Sequence, residues 1–141
     1  MPDPLEAKRY IWAPFIEGLG LDASTVLVGH SSGAACAMRL AETHRLHGLV
    51  LVSAYHTTLG DSNEEVAGYF PPLGGAWQWD AIRRNTNGNV VVLNSSHCME
   101  TVRAYSPLPP NLGAYFMMSM WHLRPLPISI ATLTCSRVRL E

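Results

Sequence analysis

The sequence predicts an α/β fold, a parallel sheet with helices on both faces, and three observations lead there. Continuous apolar, β-branched runs at residues 25–28, 48–53 and 89–93 read as strands buried on both faces, because an antiparallel strand with one wet face would alternate instead. Segments with helical spacing separate these runs, as parallel crossovers require. A Gly-x-Ser-x-Gly turn, Gly29 to Gly33, follows the first run directly and opens onto good helix formers, Ala34, Ala35, Ala37, Met38, Leu40 and Ala41.

Length and composition set the frame. With 141 residues, one domain with a real core is expected. Hydrophobic residues at 48% and charged residues at 15% argue against disorder. A net charge of −1 offers no electrostatic pull toward nucleic acid or an anionic membrane, and neither is expected as a partner. Cys36, Cys98 and Cys135 lack C-x-x-C spacing, which speaks against a disulfide framework or a zinc site and for a reducing compartment. Residues 1–8 have no signal-peptide core, and no stretch reaches the roughly 18 apolar residues of a membrane span. The expected location is the cytoplasm or the nucleus, and no metal or cofactor is expected.

Taken in order, residues 1–4 (MPDP) form a loop, since each proline disfavours helix in the residue before it. Ile11, Trp12, Phe15, Ile16 and Leu19 recur at helical spacing over residues 5–19, with Pro14 as a potential kink. The helix after the turn is expected to end at residues 43–47, before Gly48. Residues 55–75 form a longer connection holding Asp61, Glu64, Glu65, Tyr69 and Phe70, with one short helix at 63–68. Loops at this edge of an α/β sheet line the ligand crevice. A further helix is expected over 77–85, with Trp77, Ala81 and Ile82 on one face. After Ser96 no sustained period appears, and residues 97–141 are expected to be a divergent, poorly ordered tail beside a core at 1–96.

Ser31 is the residue with the clearest chemistry. A serine between closely spaced glycines, after a strand and before a helix, is the nucleophile elbow: a tight, strained turn that lifts the hydroxyl above the sheet. Helix capping is the competing role, and the two are compatible. His30 occupies the variable position of the elbow and is expected to be a structural or pocket-lining residue rather than the base. His44 and His47 lie near a helix end, where the carboxyl-terminal dipole accounts for them. Trp77, Trp79, Tyr69 and Phe70 either wall the elbow or pack as core.

Several segments together resemble the small α/β-hydrolases of the serine hydrolase class: MPDP at Met1, IWAPF at Ile11, VGHSSG at Val28, AMRLAETHR at Ala37, LVLVSAY at Leu49, LGD at Leu59, GYF at Gly68 and WQW at Trp77. The resemblance covers about residues 1–96. It implies hydrolysis of small esters or amides, including amino-acid esters, through a Ser-Asp-His triad. It makes Ser31 the nucleophile and the Ser32 backbone amide half of the oxyanion hole, as elbow geometry also suggests.

The departures from the family pattern shape the expectation as much. The family's first strand and glycine-rich loop precede the MPDP segment, and here that part is missing. The family's Gly-Ser-x-Asp-Asp-Pro loop is replaced by Asn94, Ser95, Ser96, His97, Cys98 and Met99, and no Gly-His follows. The chain is therefore expected to be a truncated form with little or no activity. The alternative is a non-catalytic binding or regulatory isoform, or an unstable product. A rebuilt triad of Ser31, Glu100 and His122 has the right chain order but neither flanking motif. The family's retinoblastoma-protein partner implies an L-x-C-x-E motif, and residues 19–23 read Leu, Gly, Leu, Asp, Ala, which leaves that partner in doubt.

Overall fold

The structure is a computed structural model that describes residues 1–3 and 5–93 and two strands beyond them. The elements are α1 (Arg9–Glu17), β1 (Val26–His30), α2 (Ser32–Ala41), β2 (Gly48–Val52), α3 (Ser62–Ala67), α4 (Trp79–Asn85), β3 (Val90–Leu93), β4 (Ala114–Tyr115) and β5 (Ile130–Thr134). They build one sheet in the order β4-β3-β2-β1-β5 with every pair parallel. The three strands expected from the apolar runs are its centre, side by side as β3-β2-β1. Periodicity assigns no element to residues 97–141, yet β4 and β5 come from there and take the two edges of the sheet. Apart from these strands, the expectation of a poorly ordered tail falls outside the described residues.

Packing explains the central helix. All ten residues of α2 are buried, and it contacts α1, α4, β1 and β2. Its alanines and Gly33 carry so little side chain that the helix can lie close to its neighbours. On α1, Trp12 and Ile16 are the buried pair, each worth roughly 1.5–3 kcal/mol of burial. The helix starts at Arg9 rather than Leu5, which is 75% exposed, and it accommodates Pro14 internally. Trp12 Nε1 ties the amino-terminal loop down by donating to the Pro2 carbonyl at 2.7 Å.

Two boundaries differ from expectation for tertiary reasons. The helix α2 stops at Ala41 because Asn85 Nδ2 donates to the carbonyls of Ala41 and Glu42, at 2.9 and 3.1 Å. Trp77 precedes α4 instead of opening it, since its Nε1 donates to the His56 carbonyl at 2.8 Å and its ring takes the Arg39 guanidinium 3.7 Å from its centre. Arg39 is a buried cation with a full set of acceptors: Glu42 Oε1 at 2.7 Å and the carbonyls of Tyr69, Gly75 and Ala76. A buried charge is tolerable only when paired and hydrogen-bonded in this way. The loop of residues 69–78 is thereby wrapped around α2.

Cys36 lies within α2, and burial pushes its thiol up to about 12. At about pH 8 it then carries almost no thiolate, the form that reacts. Iodoacetamide is expected to leave Cys36 unmodified in the folded chain and to alkylate it in denaturant, as read by peptide mapping. Equal rates under both conditions would contradict a buried α2.

Candidate active site

The site begins with a backbone conflict. Strand β1 ends at His30 and α2 begins at Ser32, so one residue must reverse the chain between them. That residue, Ser31, has φ 56° and ψ −123°, a conformation that costs a non-glycine residue about 1–3 kcal/mol. Bonds on both sides hold it there. The Ser31 N–H donates to the Val52 carbonyl of β2 at 3.0 Å, and the Ser31 carbonyl accepts from the N–H groups of Ala34 at 2.9 Å and Ala35 at 3.3 Å.

Gly29 explains why the turn can be so tight. A Cβ placed on it would stand 2.3 Å from the Gly33 carbonyl oxygen and 2.6 Å from the Ala34 nitrogen. Strand and helix backbones are in contact, and no side chain fits between them. Ser31 is thereby presented at the carboxyl end of β1, in a cleft of about 400 Å³ bordered by His30, Ser32, Tyr55, Leu59 and Glu64. Ser32 is the first residue of α2, where the backbone amide has no intrahelical acceptor and the positive end of the helix dipole gathers.

The opposite wall comes from the connection after β2. Tyr55 is half-buried, its ring stacked on Phe70 at 5.5 Å between centroids. Glu64 projects from α3, whose first turn is capped by Asp61 accepting from the Asn63 N–H at 2.8 Å. Glu64 Oε1 accepts from Ser32 Oγ at 2.7 Å and from Tyr55 Oη at 2.9 Å. Tyr55 Oη also lies 3.2 Å from Ser31 Oγ. Burial, reinforced by the Glu64 charge, pushes the Tyr55 phenol well above its ordinary value. Glu64 Oε2 is buried and has no hydrogen-bond partner among the described residues.

The structure gathers Gly29, Ser31, Ser32 and Gly33 into one turn, with His30 exposed at the rim of the cleft. Among the described residues no histidine nitrogen bonds the Ser31 hydroxyl, whose side-chain partner is Tyr55. His44 lies elsewhere, its Nδ1 3.1 Å from the Leu40 carbonyl near the end of α2. His97, Glu100 and His122 fall outside the described residues. The aromatic residues resolve toward packing: Tyr69 and Phe70 are fully buried, and Trp77 stacks on Trp79 at 5.4 Å, behind Tyr55 rather than across the cleft. Sequence reasoning named the loop that carries Glu64 but missed its pairing with Tyr55. The available signal was position alone, since a tyrosine just beyond the carboxyl end of β2 faces the turn beyond β1.

Comparison with known proteins bears on the family. A family model described as "Alpha/beta hydrolase family" matches residues 2–137. The protein named "Serine hydrolase RBBP9" from Rattus norvegicus is 52% identical over 86 residues, which is 60% of this chain and 45% of the relative. The chain thus spans less than half the length of that relative.

The space around Gly29 and around Gly18 predicts opposite signs for two glycine substitutions. Gly29→Ala drives a Cβ into backbone and should destabilise by about 3 kcal/mol or more. Gly18 has φ −63° and its nearest neighbours would stand 3.4 Å from a new Cβ, so Gly18→Ala should stabilise by about 0.4–1 kcal/mol. Urea unfolding of both variants measures this, and a Gly29→Ala chain as stable as the parent would contradict the turn.

Proposed function

Since the chain belongs to the alpha/beta hydrolase family, we propose that it is a serine hydrolase for small esters or amides, including amino-acid esters, with Ser31 as nucleophile. The observation that carries the proposal is the strained Ser31 backbone, which places a hydroxyl over a cleft beside the free end of α2. In this reading Ser31 Oγ attacks the substrate carbonyl. The Ser32 N–H, at the head of α2, is aimed at the oxyanion that develops. A serine hydroxyl is a weak nucleophile until a base takes its proton.

The second reading is a non-catalytic binding or regulatory role for the same cleft. It is favoured by the Ser31 hydroxyl meeting a phenol and, among the described residues, no imidazole. The two readings combine in a hydrolase with little turnover. Residues 19–23 lack the L-x-C-x-E pattern, so the retinoblastoma protein is no part of the proposal, nor is nucleic acid. Among the described residues no helix is long and apolar enough to cross a membrane. The proposed location is the cytoplasm or the nucleus.

Labelling with a fluorophosphonate probe, alongside hydrolysis of p-nitrophenyl esters and aminoacyl-coumarin amides, tests the assignment. Labelling and turnover should both vanish in Ser31→Ala. Turnover in the parent should fall on the order of 10³-fold or more below the roughly 10 s⁻¹ of an ordinary enzyme. Labelling that survives Ser31→Ala would remove Ser31 as nucleophile.

A further inference from the structure

We infer that Tyr55 is a second catalytic residue at this site and Glu64 the proton acceptor behind it, the two forming with Ser31 a hydroxyl relay that draws the proton off the nucleophile. The inference rests on the serine hydrolase reading and deepens it, by supplying a base where that reading has only a nucleophile.

Counting protons fixes the direction of the chain. Ser32 Oγ and Tyr55 Oη each have a single hydrogen, and both donate to Glu64 Oε1. The Tyr55 proton is therefore spent on Glu64. In the 3.2 Å contact between Ser31 Oγ and Tyr55 Oη, Ser31 must be the donor. The resting order is Ser31 O–H to Tyr55 O–H to Glu64 carboxylate, a run in which each bond polarises the next. The 3.4 Å approach of Ser32 Oγ to Tyr55 Oη has no proton left to share and is a contact only.

Two further features suit a relay. Among the described residues no cation is paired with Glu64 and its Oε2 has no donor, so the carboxylate directs its charge into the two hydroxyl bonds at Oε1. The Tyr55 phenol is hard to ionise in its buried setting, so a free tyrosinate is disfavoured and the two protons move together. With a fluorophosphonate, the Ser31 Oγ–phosphorus bond forms, the phosphorus–fluorine bond breaks and fluoride leaves. The Ser31 proton passes to Tyr55 Oη as the Tyr55 proton passes to Glu64 Oε1. With an ester, the Oγ–carbon bond forms and the bond to the alcohol oxygen breaks. Tyr55 then protonates that oxygen while recovering its own proton from Glu64. Water releases the acyl group by the same chain, giving one proton to the relay as Ser31 regains its own.

The test is the second-order rate of fluorophosphonate labelling of the full chain in H₂O and D₂O, for the parent, Tyr55→Phe, Glu64→Gln, the double variant and Ser31→Ala. Tyr55→Phe keeps the ring on Phe70, and the glutamine still accepts at Oε1 but takes up no proton. Each single variant should label on the order of 100-fold more slowly, the lower end of what a positioned base supplies. The double variant should be no slower than Tyr55→Phe. The parent should show a solvent isotope effect that both variants lose. Ser31-dependent labelling at parental rate in Tyr55→Phe and Glu64→Gln would overturn the relay and leave the hydrolase reading intact. Slow labelling with an unchanged isotope effect would reduce the pair to a structural clamp and likewise overturn the relay. A parent without an isotope effect would do so with no variant needed. A parent with no Ser31-dependent labelling would overturn both readings.

Discussion

The close approach of two backbones, β1 at Gly29 and α2 at Gly33 and Ala34, is the constraint on which the site depends. With 2.3 Å available where a Cβ would stand, the strand can pass into the helix only through a single reversed residue. That residue is Ser31, and its positive φ follows from the approach. The cost is offset by the bond to Val52 across the sheet and by the bonds its carbonyl accepts from Ala34 and Ala35. A relaxed turn would need fewer such partners, but it would leave the hydroxyl elsewhere.

The opposite wall is held from further away. Arg39, buried within α2, grips the carbonyls of the loop of residues 69–78 and stacks under Trp77. Trp77 meets Phe70 edge-on at 6.1 Å between centroids, and Phe70 stacks on Tyr55. The phenol that touches Ser31 is thus braced by an arginine near the other end of the helix that Ser31 precedes. One helix therefore fixes both sides of the cleft: its first turn by direct contact, its later turns through this aromatic stack. Buried cations are expensive to keep, and Arg39 has a stated job in keeping the loop on the helix.

The elements legible in the sequence were those specified by their own residues. The runs at Leu27, Leu49 and Val90 announce buried parallel strands because each is continuously apolar, and the glycines around Ser31 announce the turn because so little else fits there. The end of α2 was not legible, because the amide that caps it belongs to Asn85. Strand β5 was hidden for another reason: Ile130 to Thr134 is short, interleaved with threonine and preceded by prolines, so it carries no period of its own and is a strand only beside β1. The Tyr55–Glu64 pair belongs with α2's end. Each residue is unremarkable in sequence, and only the parallel order of β1 and β2 brings the end of one strand beside the turn after the other.

Under the proposed function, the geometry of the turn, and not the mere presence of a serine, makes Ser31 the reactive hydroxyl. Mass-spectrometric mapping of every phosphonylated residue after brief treatment with a fluorophosphonate tests it most directly, since the neighbouring Ser32 and the exposed Ser24 and Ser62 serve as internal controls. An adduct on Ser31 alone is expected in the native chain, and none on Ser31 when the chain is denatured before treatment. Adducts spread among the exposed serines, or an adduct on Ser31 that forms equally well in the unfolded chain, would contradict it.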